Sequence, residues 1–258
     1  MEQTKSADGT TIAFDRSGNG PALILVSGAL SDGSSGIPLA EQLAPSFTVY
    51  HYDRRGRGSS GDTPPYAAGR EIEDLEAIIT EAGGSALVFG HSSGAALSLE
   101  AAAQKLPITK LVAYEPPYVF DNDRSAPAPD LAARLRNLVS SGRRGEAVKL
   151  FMIEAVGISP ELAAEMEGYP IWPAMEALAH TIPYDLAIME NYSMPTERLA
   201  TIGVPTLALD GGASPEWARH SVREVASAIP GARHITLEGQ THSADVTVLA
   251  PVLEEFFS

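Results

Sequence analysis

The chain has 258 residues, and its 18 Lys and Arg against 33 Asp and Glu give a formal net charge of −15. That acidity argues against a nucleic-acid partner, which needs a basic footprint, and disfavours a strongly anionic substrate or membrane surface. Cysteine is absent, which removes disulfides, thiolate metal sites and a cysteine nucleophile.

Residues 1–9 are polar and carry no apolar signal core, and no run of about 18 apolar residues occurs, so a cytoplasmic protein that does not span a bilayer is expected. A strand is predicted over residues 11–16, after the turn pair Asp8-Gly9. Ala22-Leu-Ile-Leu-Val26 is a continuous apolar run of the kind buried on both faces of a parallel sheet. A further strand is predicted over residues 47–52. From Glu71 the period changes, with Ile72, Leu75, Ile78, Ile79 and Ala82 on one helical face before the stop Gly83-Gly84. Strand, helix and strand follow over residues 86–89, 93–105 and 110–114. After a long interval come a strand at 206–209, a helix at 215–228, a strand at 233–237 and a closing helix at 245–257. Such alternation predicts an α/β fold, a mostly parallel twisted sheet with helices on both faces.

The 88 residues from Pro116 to Gly203 show helical patterns and no convincing strand. Several helices there begin near a proline, at Pro160, Pro173 and Pro183. The stretch is too long for a structureless loop. It is expected to be a helical insert, 116–203, over a core made of residues 1–115 and 204–258.

Gly90-His91-Ser92-Ser93-Gly94 lies where a buried strand meets a helix. In that context G-x-S-x-G marks a nucleophile elbow, a sharp turn that exposes a serine and needs small residues on either side of it. Ser92 is therefore the expected nucleophile. Among the six histidines, His242 lies between the last strand and the last helix, where loops beyond the carboxyl ends of parallel strands converge. It is the expected general base. Two carboxylates fit the chain order for an orienting acid, Glu115 at the end of strand 110–114 and Asp210 at the end of strand 206–209. Two N–H donors should face the developing oxyanion. These are Ser93, which follows the nucleophile, and Ala29 in the loop after the apolar run, where Gly28 permits the turn.

In order and spacing, the elbow, the loop Val26-Ser-Gly-Ala29, the turn Asp53-Arg-Arg-Gly-Arg-Gly-Ser59 and the loop at Thr241-His242 resemble the α/β-hydrolase family along essentially the whole chain. The resemblance implies that fold, with the insert as a cap after strand six. Many members place the acid three residues after a Gly beyond the penultimate strand, but here that position is Ser214. Others, such as haloalkane dehalogenases and zearalenone-type lactonases, place a Glu after strand six, as in Tyr114-Glu115-Pro116, and this favours Glu115 over Asp210. A serine at 92 argues against a dehalogenase or epoxide hydrolase. Tyr169-Pro170-Ile171-Trp172 is similar to a lid segment of the zearalenone-type lactonases, and five of the six methionines fall in the insert. Gly28, Leu30, Tyr118, Met152, Trp172 and Met175 are thus expected to line an apolar substrate pocket. The implied activity is hydrolysis of a neutral, largely apolar small-molecule ester or lactone without metal or organic cofactor. The same motifs are compatible with a thioesterase, carbon–carbon hydrolase, perhydrolase or lyase, or with a non-catalytic small-molecule binder.

Overall fold

The computed structural model describes residues 1–120 and 123–258. Its eight strands are β1 (Glu2–Lys5), β2 (Thr11–Ser17), β3 (Ala22–Val26), β4 (Thr48–Tyr52), β5 (Ala86–His91), β6 (Ile108–Tyr114), β7 (Thr206–Gly211) and β8 (Arg233–Leu237). They form one sheet in the order β1-β2-β4-β3-β5-β6-β7-β8. β1 and β2 join it antiparallel, and β4 through β8 run parallel.

Alternation along the strands divides the core between two faces. Ile24, Val26 and Val88 point to the face covered by α2 (Ala68–Glu81), α3 (Ser93–Ala103) and α10 (Glu216–Ala228). Leu23, Leu25 and Phe89 point to the other face, against α1 (Ile37–Leu43) and α11 (Val246–Phe257). Burial on both faces explains why the central strands read as unbroken apolar runs.

Two elements escape the sequence reading. β1 is Glu-Gln-Thr-Lys, mostly exposed, and backbone pairing to β2 at the sheet edge holds it rather than an apolar pattern. α1 is only seven residues long, and its proline in the first turn is its one positional cue.

Between β6 and β7 lie α4 (Leu131–Ser140), α5 (Arg144–Phe151), a π-helical turn (Met152–Val156), α6 (Pro160–Glu165), α7 (Trp172–Leu178), α8 (Ile182–Ile188) and α9 (Thr196–Leu199). Pro160, Pro173 and Pro183 occupy first-turn positions, where the missing N–H costs no hydrogen bond. Leu135, Val148, Ile182 and Leu186 from this insert join the core that packs on α2 and α3. No helix among the described residues is long and apolar enough to cross a membrane.

The turn after β4 is held by buried charge. Arg55, fully buried, grips Asp74 of α2 with two bonds of 2.7 Å and donates to Asp8 of the β1–β2 turn at 3.0 Å. Breaking a buried pair strands one charge, whereas replacing both partners with apolar groups does not. Arg55→Met should therefore lower unfolding stability by about 3–5 kcal/mol, and Arg55→Met/Asp74→Leu should recover most of it. Urea denaturation of the wild type, both single variants and the double variant measures this cycle.

Candidate active site

Ser92 sits between β5 and α3 with φ 55° and ψ −124°, a conformation that costs energy for a side chain with a Cβ. Close backbone approaches force it. A Cβ on Gly94 would lie 2.3 Å from the Val26 carbonyl and 2.5 Å from that of Ser27, and one on Gly90 would lie 2.6 Å from the Gly94 carbonyl. The Ser92 N–H donates to the Tyr114 carbonyl at 2.9 Å, which extends the β5–β6 pairing into the turn.

His242 Nδ1 lies 2.6 Å from Glu115 Oε2. Glu115 is 1% exposed and follows β6 at φ 45°, and its other oxygen accepts the Gly211 N–H at 2.8 Å. Burial alone would raise its pKa. The hydrogen bond from His242, the Ser214 hydroxyl buried beside the carboxylate short of bonding geometry, and the Gly211 N–H outweigh that and hold it below the usual glutamate value. An ionised acceptor on Nδ1 leaves the Nε2 lone pair free. Asp210 is fully buried but engaged elsewhere, 2.8 Å from His234 Nε2 on the neighbouring strand β8. The structure thus brings Glu115, and not Asp210, to His242. Ser214, at the position where the sequence resemblance would have put an acid, lies buried beside the Glu115 carboxylate.

The loop carrying His242 is pinned from two strand ends. His91 Nε2 lies 2.8 Å from the His242 carbonyl, and the Tyr114 hydroxyl donates to the Thr241 carbonyl at 2.6 Å. Burial first, and then the adjacent His242, push the His91 pKa down to about 4, so His91 is neutral and its Nε2–H donates. His51, His180 and His220 bond to Gly33, Ala177 and Asp123, away from this cluster.

Two cavities meet over the elbow, of about 400 and 440 Å³, and Ala29, Ser92, Phe151, Val156 and His242 border both. Ser92 and His242 border the same cavities, and Ser92 Oγ makes no hydrogen bond to His242. The Ala29 N–H has no acceptor among the described residues, and the Ser93 N–H, at the first position of α3, has none within its helix. One lobe is lined by Leu30, Met152, Ile171, Met175 and Leu178, with a polar rim of Ser31–Ser35 side chains. The other is lined by Ile158, Met189, Tyr192 and Trp217.

Gly28 lies behind the serine, where a Cβ would come 3.0 Å from Ser92 Cβ. Three expected lining residues, Gly28, Tyr118 and Trp172, are in neither lobe. Tyr118 is 2% exposed in the core, its N–H bonded to Ser221 Oγ. Trp172 borders an outer groove with Gly145 and Glu176. Ile171, Met175 and Leu178 fall on one helical face, and Trp172, one residue on from Ile171, is turned about 100° from it. Trp217 and Phe151 were not expected in the lining. Trp217 lies outside the insert, and Phe151 is recognisable only once α5 has a direction.

A buried ionic cluster under the site was also missed. Asp185 of α8 is fully buried and accepts from Arg54 Nη1 at 2.9 Å, from Arg57 Nη2 at 2.8 Å and from Ser93 Oγ at 2.7 Å. Arg54 also grips Glu71 with bonds of 2.6 and 3.0 Å. A charged residue amid the apolar Ile-Pro-Tyr-Asp-Leu-Ala-Ile of α8 was its only local signal. Among the described residues, no group of three or more His, Asp or Glu could hold a metal ion.

A crystal structure described as an alpha/beta hydrolase from Sphaerobacter thermophilus is 59% identical over the whole of both chains, with a TM-score of 0.96. A pimeloyl-(acyl-carrier protein) methyl ester esterase from Xanthomonas campestris pv. campestris is 26% identical over 236 residues, covering 89% of this chain and 91% of the esterase. An N-formylmaleamate deformylase from Pseudomonas putida is 37% identical over 115 residues, 43% of each chain. The family profile described as the alpha/beta hydrolase family matches residues 23–252. With that span matched, the chain belongs to the alpha/beta hydrolase family.

Proposed function

We propose that the protein is a serine hydrolase of neutral, largely apolar carboxylic esters, lactones included, acting through an acyl-enzyme on Ser92. The observation that carries this reading is the 2.6 Å link between His242 and buried Glu115, at a point where Ser92 and two lobes of cavity converge. Ser92 Oγ attacks the ester carbonyl as His242 Nε2 takes its proton, and the ionised Glu115 stabilises the imidazolium. The Ala29 and Ser93 N–H groups receive the oxyanion. His242 then protonates the leaving alkoxide, and the same base activates a water that releases the acid. The chemistry balances without a metal or organic cofactor.

The lobes support the substrate class. Among the described residues, neither is lined by Lys or Arg, so a carboxylate on either side of the ester would find no counter-ion. The relative that acts on a methyl ester supports ester cleavage, and the insert 116–203 serves as the cap that closes the lobes over the core 1–115 and 204–258. Trp172 is buried among apolar side chains and borders a groove outside both lobes, so it lends no support to a lactonase reading, and open-chain esters are the first substrates to try.

With p-nitrophenyl butyrate as substrate, Ser92→Ala should lose at least ~10³-fold in kcat with its circular dichroism unchanged, and a fluorophosphonate should label the wild type but not the variant. Unchanged hydrolysis would overturn the reading. Glu115→Gln should lower kcat on the order of 10³-fold, while Asp210→Asn should cost less than about tenfold. His91 makes a pH prediction. Its folded pKa of about 4 lies below the ordinary 6.5, so its neutrality contributes stability above pH 6.5 that is lost as pH falls towards 4. Between pH 7 and 4 the wild type should lose about 3 kcal/mol more than His91→Gln, measured from urea unfolding at the two pH values.

A further inference from the structure

Each of the two backbone donors beside Ser92 is tied to a charged group outside the cavity walls. A trans peptide unit points its C=O and N–H in opposite directions. The Gly28 C=O and the Ala29 N–H belong to one such unit, and Arg57 Nη1 donates to that carbonyl at 2.5 Å. The same nitrogen donates to the Ser31 carbonyl at 2.9 Å, and Arg54 Nη1 donates to that of Ser27 at 3.1 Å. The guanidinium behind the loop therefore sets where the Ala29 N–H points. A cationic donor on the carbonyl also polarises the amide and makes its N–H a stronger donor. Glycine at 28 needs such a restraint, because without a Cβ it lets that peptide turn over readily.

Asp185 links this restraint to the second donor. Both its oxygens accept from Arg57 Nη2, at 2.8 and 2.9 Å, and Oδ1 also accepts the hydroxyl of Ser93, whose own N–H has no acceptor within its helix. Asp185 comes from α8 of the insert, whereas the arginines and Ser93 come from the core. A buried ionic cluster is no more stabilising than well-packed apolar side chains would be. What this one supplies is direction.

Building on the serine-hydrolase reading, we infer that Arg57 is a positioning residue that aims and polarises the Ala29 N–H. Asp185 makes both oxyanion donors depend on the seating of α8. Cap position and catalytic competence are thereby coupled through one carboxylate.

The test compares Arg57→Gln, Arg57→Lys, Asp185→Asn and Tyr184→Phe. The last is a control on the same helix, removing a hydroxyl bonded to Asp62 at 2.7 Å and leaving the ionic cluster intact. Arg57→Gln should lower kcat for p-nitrophenyl butyrate by about 100-fold, the scale of losing one oxyanion donor, with KM changed less than about threefold. Its affinity for phenylboronic acid, which forms a tetrahedral adduct on Ser92, should fall in step with kcat. Arg57→Lys, which keeps the charge and the fold, should recover part of both losses. Asp185→Asn should follow Arg57→Gln, and Tyr184→Phe should stay within about twofold of wild type. Unchanged kcat, a fall in kcat without a fall in boronate affinity, or an equal loss in Tyr184→Phe would each overturn the proposal. Hydrogen–deuterium exchange over residues 27–31 should quicken in Arg57→Gln, and unchanged exchange would also overturn it. That measurement needs no substrate. A wild type inactive on all esters would thus refute the hydrolase reading while the exchange still decides whether Arg57 holds the loop.

Discussion

The backbone contact between the end of β3 and the start of α3 is the constraint on which the rest of the molecule turns. Gly94 lies so close to the Val26 and Ser27 carbonyls that a single methyl group would not fit. That approach fixes three things together: the strained dihedrals of Ser92, the nearness of the Ala29 loop to the helix N-terminus, and the exposure of the serine above the sheet. The strain at Ser92 is sustained because β5 pairs with strands on both sides and α3 is buried along nearly its whole length. A softer scaffold would relax it.

The ends of β6 and β7 decide which carboxylate can meet His242. β6 and β7 are adjacent and parallel, so the residue after β6 and the turn after β7 end in one place. Glu115 has the longer side chain and starts one strand nearer the serine. It reaches His242 and still accepts the Gly211 N–H from the neighbouring strand end. The Ser214 hydroxyl is buried beside this carboxylate. Asp210 is close in sequence but lies within β7, where its side chain is committed to His234.

The parts legible from sequence were those with a local cause. Buried parallel strands announce themselves through unbroken apolar runs, and the elbow through glycines that a close approach demands. β1 had no such cause, because only hydrogen bonds to β2 define it. The pocket was half legible. Leu30, Met152 and Met175 line it, but Trp172 does not, because composition shows that an insert is rich in large apolar side chains and not which helical face each takes.

The ionic cluster was illegible for a different reason. Arg54 and Arg57 sit in a turn whose composition looks solvated, and Asp185 is 128 positions beyond Arg57. Runs of charge in a sequence usually mark exposed surface, since burying an ion without partners is prohibitively costly. Here the three arginines of one turn are almost wholly buried and are answered by carboxylates from α2, at Glu71 and Asp74, and from α8, at Asp185. Such complementarity exists only in the folded chain. It also means that the insert cannot drift from the core without uncovering charge, so α8 has a sharply defined seat even though most of its contacts are apolar and adaptable. Other insert helices meet the core through apolar packing, while Asp185 ties α8 to Arg54, Arg57 and Ser93 by directed bonds.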